Sequence, residues 1–164
     1  MKFKAIIFDF DGVLFDSEKI HLQACNKVFY TLGFNISEEE YFQHYVGTSD
    51  NEMFPLILDD KKIKYSEEQL AHFQESKINA YKEIINYSDT LDGFLNVKDF
   101  ITSYSQKVDH FAICSGSTKA EVEATLSKLE NGELLKFFEH IITIDDIKNG
   151  KPSPAGYLLT AIWR

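Results

Sequence analysis

Two carboxylates spaced i, i+2 close an apolar run near the start of the chain, where Ala5-Ile-Ile-Phe8 leads into Asp9-Phe10-Asp11-Gly12. Like charges so close repel unless a cation or a shared proton intervenes. Two further polar signals lie at or beyond short apolar runs. Phe111-Ala-Ile-Cys114 ends at Ser115-Gly116-Ser117, and Gly150-Lys151-Pro152 lies beyond His140-Ile-Ile-Thr-Ile144. Together they offer a carboxylate nucleophile, a second carboxylate to give and take a proton, hydroxyl and backbone N–H groups, and a lysine cation. That set fits phosphoryl transfer through an aspartyl-phosphate. Each signal alone is weak. A lone Asp-x-Asp is common on surfaces, Ser115-Gly-Ser117 without context reads as a turn with a helix cap, and Lys151 reads as a solvated loop lysine.

The elements that must position these groups are legible from the apolar pattern. Short apolar runs closed by turn residues suit strands buried on both faces, here 5–9, 111–114 and 140–144. Strands of a parallel sheet present their carboxyl ends on one edge, so the polar signals can converge there. Asp9 falls at a strand tip, Gly12 lets the chain turn away, and an extended backbone points Asp9 and Asp11 to the same side. Between the first two strands the pattern is helical: Ile20, Ala24, Val28, Phe29 and Leu32 share a stripe that Gly33 stops. Ser37-Glu-Glu-Glu40 and Ser66-Glu-Glu-Gln69 read as capping boxes. A loop at 46–50 precedes a short helix at 53–58, and Leu70, Phe73, Ile78, Tyr81 and Ile85 mark a long one. After Gly93 come a helix with Phe94, Val97, Phe100, Ile101 and Tyr104 on one face, a helix capped by Thr118-Lys-Ala-Glu121, and a last helix from Pro154 to Ile162. The expectation is an α/β fold. Its parallel-sheet core takes residues 1–16 and 90–164, and an inserted helical segment takes 17–89.

Composition narrows the classes. With 164 residues and a formal net charge of −9, the chain suits one domain with an insertion and lacks the basic footprint of a nucleic-acid binder. An anionic substrate would need local help from a cation. The two cysteines, Cys25 and Cys114, have no metal-ligand spacing and read as small core residues. No apolar run approaches the length of a membrane span or carries a leader pattern, which makes the cytoplasm the default location.

With these stretches in place, the chain resembles the haloacid dehalogenase superfamily, in particular its β-phosphoglucomutase-like phosphatases with a helical cap. Phe8-Asp-Phe-Asp-Gly-Val-Leu-Phe-Asp-Ser-Glu18, Ile113-Cys-Ser-Gly-Ser117 and Gly150-Lys-Pro-Ser-Pro154 with Tyr157-Leu158 carry the resemblance, in the family's order and spacing. The resemblance implies a Rossmann-like core and a Mg²⁺-dependent hydrolase or phosphomutase acting on a small phosphorylated metabolite. Asp9 would attack phosphorus and bind Mg²⁺. Asp11 would protonate the leaving oxygen, activate water, and lend its backbone carbonyl to the metal. Ser115, with the N–H groups of Gly116 and Ser117, would hold the phosphoryl oxygens, and Lys151 would neutralise the crowded charge. Glu18 and His21 match cap positions that face substrate, and Gly47-Thr48-Ser49 matches a loop that selects it. Read on their own, Glu18 fits a first-turn helix charge as well as a substrate contact, and His21 packs on its helix. The family's fourth motif, an acidic pair completing the Mg²⁺ site, is expected beyond residue 164, and Asp145-Asp146 stand on the wrong side of Lys151 to replace it. The alternative expectation is therefore a truncated homologue of impaired catalysis, self-associating through an exposed sheet edge. A receiver-type signalling domain is disfavoured by the helical block after the first strand.

Overall fold

The computed structural model describes residues 4–89 and 91–162. The expected core boundary at Thr90 and the final Trp163-Arg164 lie outside them. In chain order the elements are β1 (Ala5–Phe8), α1 (Glu18–Thr31), α2 (Glu38–His44), α3 (Asp50–Asp60), α4 (Glu67–Tyr87), α5 (Val97–Tyr104), β2 (His110–Cys114), α6 (Lys119–Lys128), β3 (Phe138–Ile142) and α7 (Ala155–Ile162). The chain divides into two compact units, one running up to Ser17 and resuming at Ile85, the other Glu18–Ile84.

The first unit is α/β. Its parallel sheet has the order β1-β2-β3, with Ile7 opposite Ala112 and Ile113 opposite Ile141. Central β2 is buried from Phe111 to Cys114, as an apolar run between two neighbours should be. β1 corrects the expectation of burial on both faces. It is an edge strand among the described residues, Ala5 is exposed, and Ile6 to Phe8 are half-buried. Its Phe8 ring packs with Phe100, Phe111 and Phe138, centroids 6.1, 5.9 and 5.9 Å away. The third strand is also shifted, ending at Ile142 and not Ile144. Thr143 leaves the ladder because its N–H and hydroxyl both bond the Asp146 carboxylate, at 2.8 and 3.0 Å, which winds 144–146 into a turn. The helix after Gly93 starts at Val97. Of its expected apolar face Ile101 is fully buried, whereas Phe94, Phe100 and Tyr104 remain partly open.

Helix α6 begins as the sequence predicts. Thr118 accepts from the Glu121 N–H, Glu121 answers on the Thr118 N–H, and Val122, Leu126 and Leu129 are fully enclosed. Helix α7 lies against β2 and β3, so closely at Gly156 that a Cβ there would stand 2.7 Å from the Cys114 sulfur. Cys114 is itself 2% exposed and can move little. Gly156→Ala is therefore expected to destabilise the chain by ~1–3 kcal/mol through overpacking. Urea unfolding would show it, and adding Cys114→Ala should return most of the loss.

The second unit is helical. Leu22, Cys25, Val28, Phe29, Ile36, Tyr41, Met53, Phe54 and Ile57 form its core, with the Phe29 ring 4.9 Å from Phe34 and 5.2 Å from Phe54. Gly33, at φ +87°, ends α1 as expected. Ser66 and Gln69 form the reciprocal box that caps α4. At α2 the Ser37 hydroxyl accepts from the Glu40 N–H, but the Glu40 carboxylate is taken by Lys61 at 2.9 Å and does not close the predicted box. Among the described residues no helix is long and apolar enough to cross a membrane.

Candidate active site

The site assembles at the carboxyl edge of the parallel sheet, all within the α/β unit. β1 ends at Phe8, so residues 9–11 belong to the turn that follows it. The Leu14 and Val13 N–H groups donate to the Phe10 carbonyl, and Gly12 at φ +73° turns the chain back. The alternation expected for a strand therefore does not govern Asp9 and Asp11, and each carboxylate finds its own partners.

Asp9 accepts from the Phe10 N–H at 2.8 Å and faces Lys151, whose Nζ stands 2.5 Å from the same Oδ1. The loop after β3 delivers this lysine. Both side chains keep about a third of their surface, so the pair is open to a ligand. The Lys151 ammonium also lies over the Tyr157 ring of α7, 5.5 Å from its centroid, which restrains a flexible side chain.

Asp11 sits among hydroxyls. Ser17 Oγ donates to Oδ1 at 2.5 Å, while Ser117 Oγ and Ser115 Oγ donate to Oδ2 at 2.7 and 3.3 Å. Ser115 is held by its position after β2, where its N–H donates to the Ile142 carbonyl of β3 and its Oγ accepts from the Ser117 N–H. Asp9, Asp11, Ser115 to Ser117 and Lys151 thus meet on one edge. Burial first and then the Asp9 charge push the Cys114 thiol up, against the pull of Lys151 and a bond from Thr160, which suits a core residue under the site. Asp145 and Asp146 are spent on structure, Asp145 accepting from the Lys119 N–H at the start of α6 and Asp146 closing the turn after β3.

The other two candidates belong to the helical unit. Glu18 accepts from the Tyr41 hydroxyl at 3.0 Å, and burial first, then the Glu18 charge, pushes that phenol up. His21 is nearly buried, its ring 4.6 Å from Tyr81 and its Nδ1 2.9 Å from Lys77 Nζ. Lys77 is a residue that motif reading passes over. It is 1% exposed and pairs with Asp50 at 2.8 Å. A signal was present, since Phe73, Lys77 and Tyr81 follow one another at i+4 along the apolar stripe of α4. Ser17 is passed over too, because nothing local marks a serine ahead of a helix as a partner of a carboxylate six residues earlier.

A parallel sheet with a helical segment inserted after its first strand, and carboxylates, hydroxyls and a lysine on one edge, define a Rossmann-like α/β fold with a polar site at the carboxyl ends of its strands. The chain belongs to the haloacid dehalogenase-like hydrolase family, which it matches over residues 6–161. It is 29% identical to a phosphorylated carbohydrates phosphatase of Thermotoga maritima, over 95% of this chain and 68% of that protein. A crystal structure of β-phosphoglucomutase from Clostridium difficile superposes with a TM-score of 0.83 at 26% identity, over 97% of this chain and 70% of that one. The structure of CbbY from Rhodobacter sphaeroides in complex with xylulose-1,5-bisphosphate shares the fold, with a TM-score of 0.85 at 23% identity over 96% and 70% of the two chains.

Proposed function

We propose that this hydrolase cleaves a small phosphomonoester through an aspartyl-phosphate on Asp9. The observation that carries the reading is the Asp9–Lys151 pair at the carboxyl edge of β1, beside the Asp11–Ser115–Ser117 cluster. A similar protein named for hydrolysing phosphorylated carbohydrates supports the substrate class. In the first step an Asp9 oxygen attacks phosphorus as the ester P–O bond breaks, and Asp11 hands its proton to the leaving alkoxide. In the second, water attacks the phosphoryl group, Asp11 takes the proton from that water, and Asp9 leaves as a carboxylate with inorganic phosphate. Lys151 offsets the negative charge gathered on Asp9 and the phosphoryl oxygens, and Ser115 with the 116 and 117 N–H groups orients them.

Hydrolases of this family generally use Mg²⁺. Among the described residues no group of three or more His, Cys, Asp or Glu side chains could hold a metal. The oxygens present still fit as part of a site, because Mg²⁺ binds through one or two carboxylates with substrate phosphate and water completing the octahedron. The Asp9 carboxylate and the Asp11 carbonyl would hold it, and when bound it supplies positive charge to the phosphoryl oxygens. The test is turnover of p-nitrophenyl phosphate by the purified chain with millimolar Mg²⁺ and with EDTA. Turnover is expected with the metal and at least ~100-fold less in chelator; metal-independent turnover removes the metal from this reading, and no turnover by folded protein removes the reading.

A further inference from the structure

Lys151 faces a different anion at each stage of the proposed reaction. In the free chain its ammonium stands 2.5 Å from Asp9 Oδ1 and lies over the Tyr157 ring, 5.5 Å from the centroid. Once Asp9 carries the phosphoryl group its carboxylate charge is gone, and the ammonium turns to the phosphoryl oxygens. The ring is the neighbour that does not change. Its negative face attracts a cation and offers no donor to compete for an anion. It also tolerates small shifts of the charge, whereas a hydrogen bond weakens steeply with angle.

The chain fixes this ring close to the lysine. Tyr157 lies in the first turn of α7, next to Gly156, where a Cβ would stand 2.7 Å from the Cys114 sulfur of β2. The buried Thr160 hydroxyl donates to the Gly156 carbonyl at 2.8 Å. The loop carrying Lys151 turns directly into that helix, with the Ser153 N–H on the Gly150 carbonyl at 3.0 Å and the Leu158 N–H on the Pro154 carbonyl at 2.9 Å. Lysine and ring thus belong to one short, packed stretch. Tyr157 itself is 38% exposed, so filling the core does not account for its ring.

We propose that Tyr157 is a positioning residue for Lys151: its ring keeps the ammonium at the sheet edge while Asp9 passes from carboxylate to acyl phosphate and back. The proposal rests on the reading of Asp9 as nucleophile given above. In the second step water attacks phosphorus, the bond from phosphorus to the Asp9 oxygen breaks, and its electron pair restores the carboxylate. Stabilising charge in that step takes a cation already in place. Asp9 cannot place it, because Asp9 is then the leaving group. The first step starts with the Asp9–Lys151 pair intact and depends less on the ring.

The experiment compares wild type with Tyr157→Phe, Tyr157→Trp and Tyr157→Leu on p-nitrophenyl phosphate. Here kcat/KM reports the steps up to release of p-nitrophenol, and kcat includes hydrolysis of the phosphoenzyme. For Tyr157→Leu the expected result is a fall in kcat of about 3- to 10-fold, with kcat/KM within about 2-fold of wild type and more phosphoenzyme in acid-quenched samples. Tyr157→Phe and Tyr157→Trp are expected to keep kcat within about 2-fold, since both keep a ring face. An unchanged kcat in Tyr157→Leu, an equal fall in kcat/KM, or an equal loss in Tyr157→Phe overturns the proposal, since general damage to the site neither spares the first step nor follows the ring. A second arm needs no turnover: the proton chemical shifts of the Lys151 side-chain methylenes, assigned with Lys151→Arg. The ring current is expected to move them upfield in wild type and Tyr157→Phe but not in Tyr157→Leu, and the shift is expected to survive added inorganic phosphate. No upfield shift in wild type, or one that phosphate abolishes, overturns the proposal and leaves the phosphatase reading standing. Folded wild type that is inert on the ester removes the phosphatase reading and the proposal with it.

Discussion

Asp9→Asn is expected to lower phosphomonoester turnover by about 10⁴-fold or more while leaving the chain folded. The size follows from the step removed. A carboxamide oxygen is neutral and cannot form the acyl phosphate, and loss of a covalent nucleophile costs several orders of magnitude in enzymes that depend on one. Survival of the fold follows from exposure. Asp9 and Lys151 keep 36% and 32% of their side-chain surface, so solvent screens their 2.5 Å contact and the pair contributes at most about 1 kcal/mol to stability. The Phe10 N–H keeps an acceptor, since the amide oxygen of asparagine can take the place of Oδ1. Two measurements separate the effects: steady-state turnover with a saturating aryl phosphate, and the urea midpoint of the variant. Mass spectrometry of acid-quenched wild type should also show a phosphoryl adduct on the peptide containing residue 9, absent from the variant. A variant that keeps a tenth of wild-type turnover would remove Asp9 as the nucleophile.

The groups that meet at the sheet edge were legible because each lies at or after the end of an apolar run, and strand ends of a parallel sheet share an edge. Thr118-Lys-Ala-Glu121 and Ser66-Glu-Glu-Gln69 were legible as helix starts for a related reason, since capping closes over a few residues of chain. What escaped reading depended on competition between partners. Thr143 belongs to an apolar run by position, but Asp146 offers its N–H a carboxylate, and the strand ends early. Glu40 has the spacing of a capping box, but Lys61 claims its carboxylate. β1 has the composition of a strand buried on both faces, yet its surroundings leave Ile6 and Ile7 half-buried. Ser17 reaches Asp11 only because Gly12 reverses the chain between them. Cys25 and Cys114 needed no such knowledge, and both are buried as their apolar neighbours suggested.

Lys77 is the largest departure from a sequence reading, and its energetics are asymmetric. Asp50→Ala is expected to destabilise the chain by about 3–5 kcal/mol, and Lys77→Met by clearly less, about 1–2 kcal/mol. The ammonium is the deeply placed partner, with 2% of its side chain exposed against 18% for Asp50, so removing the aspartate leaves a charge that water cannot reach. Methionine at 77 instead keeps an apolar stem along the stripe between Phe73 and Tyr81, and the stranded Asp50 can turn towards solvent at the first turn of α3, where a negative charge is favourable. The remaining cost of Lys77→Met falls on His21. An ammonium only donates, so His21 Nδ1 is the acceptor of the 2.9 Å contact and loses its donor in the variant. Urea unfolding of both single variants and of Asp50→Ala/Lys77→Met decides the matter, with the double variant expected to be more stable than Asp50→Ala alone. If Lys77→Met proves the worse of the two, the lysine's charge is being held by more than Asp50. If both cost under 1 kcal/mol, water reaches the pair and the burial argument fails. The outcome also bears on the helical unit's role, because the contact that fixes the His21 ring is made by this same lysine. A rigid Lys77–Asp50 pair holds the His21 imidazole beside the Tyr81 ring through its Nδ1.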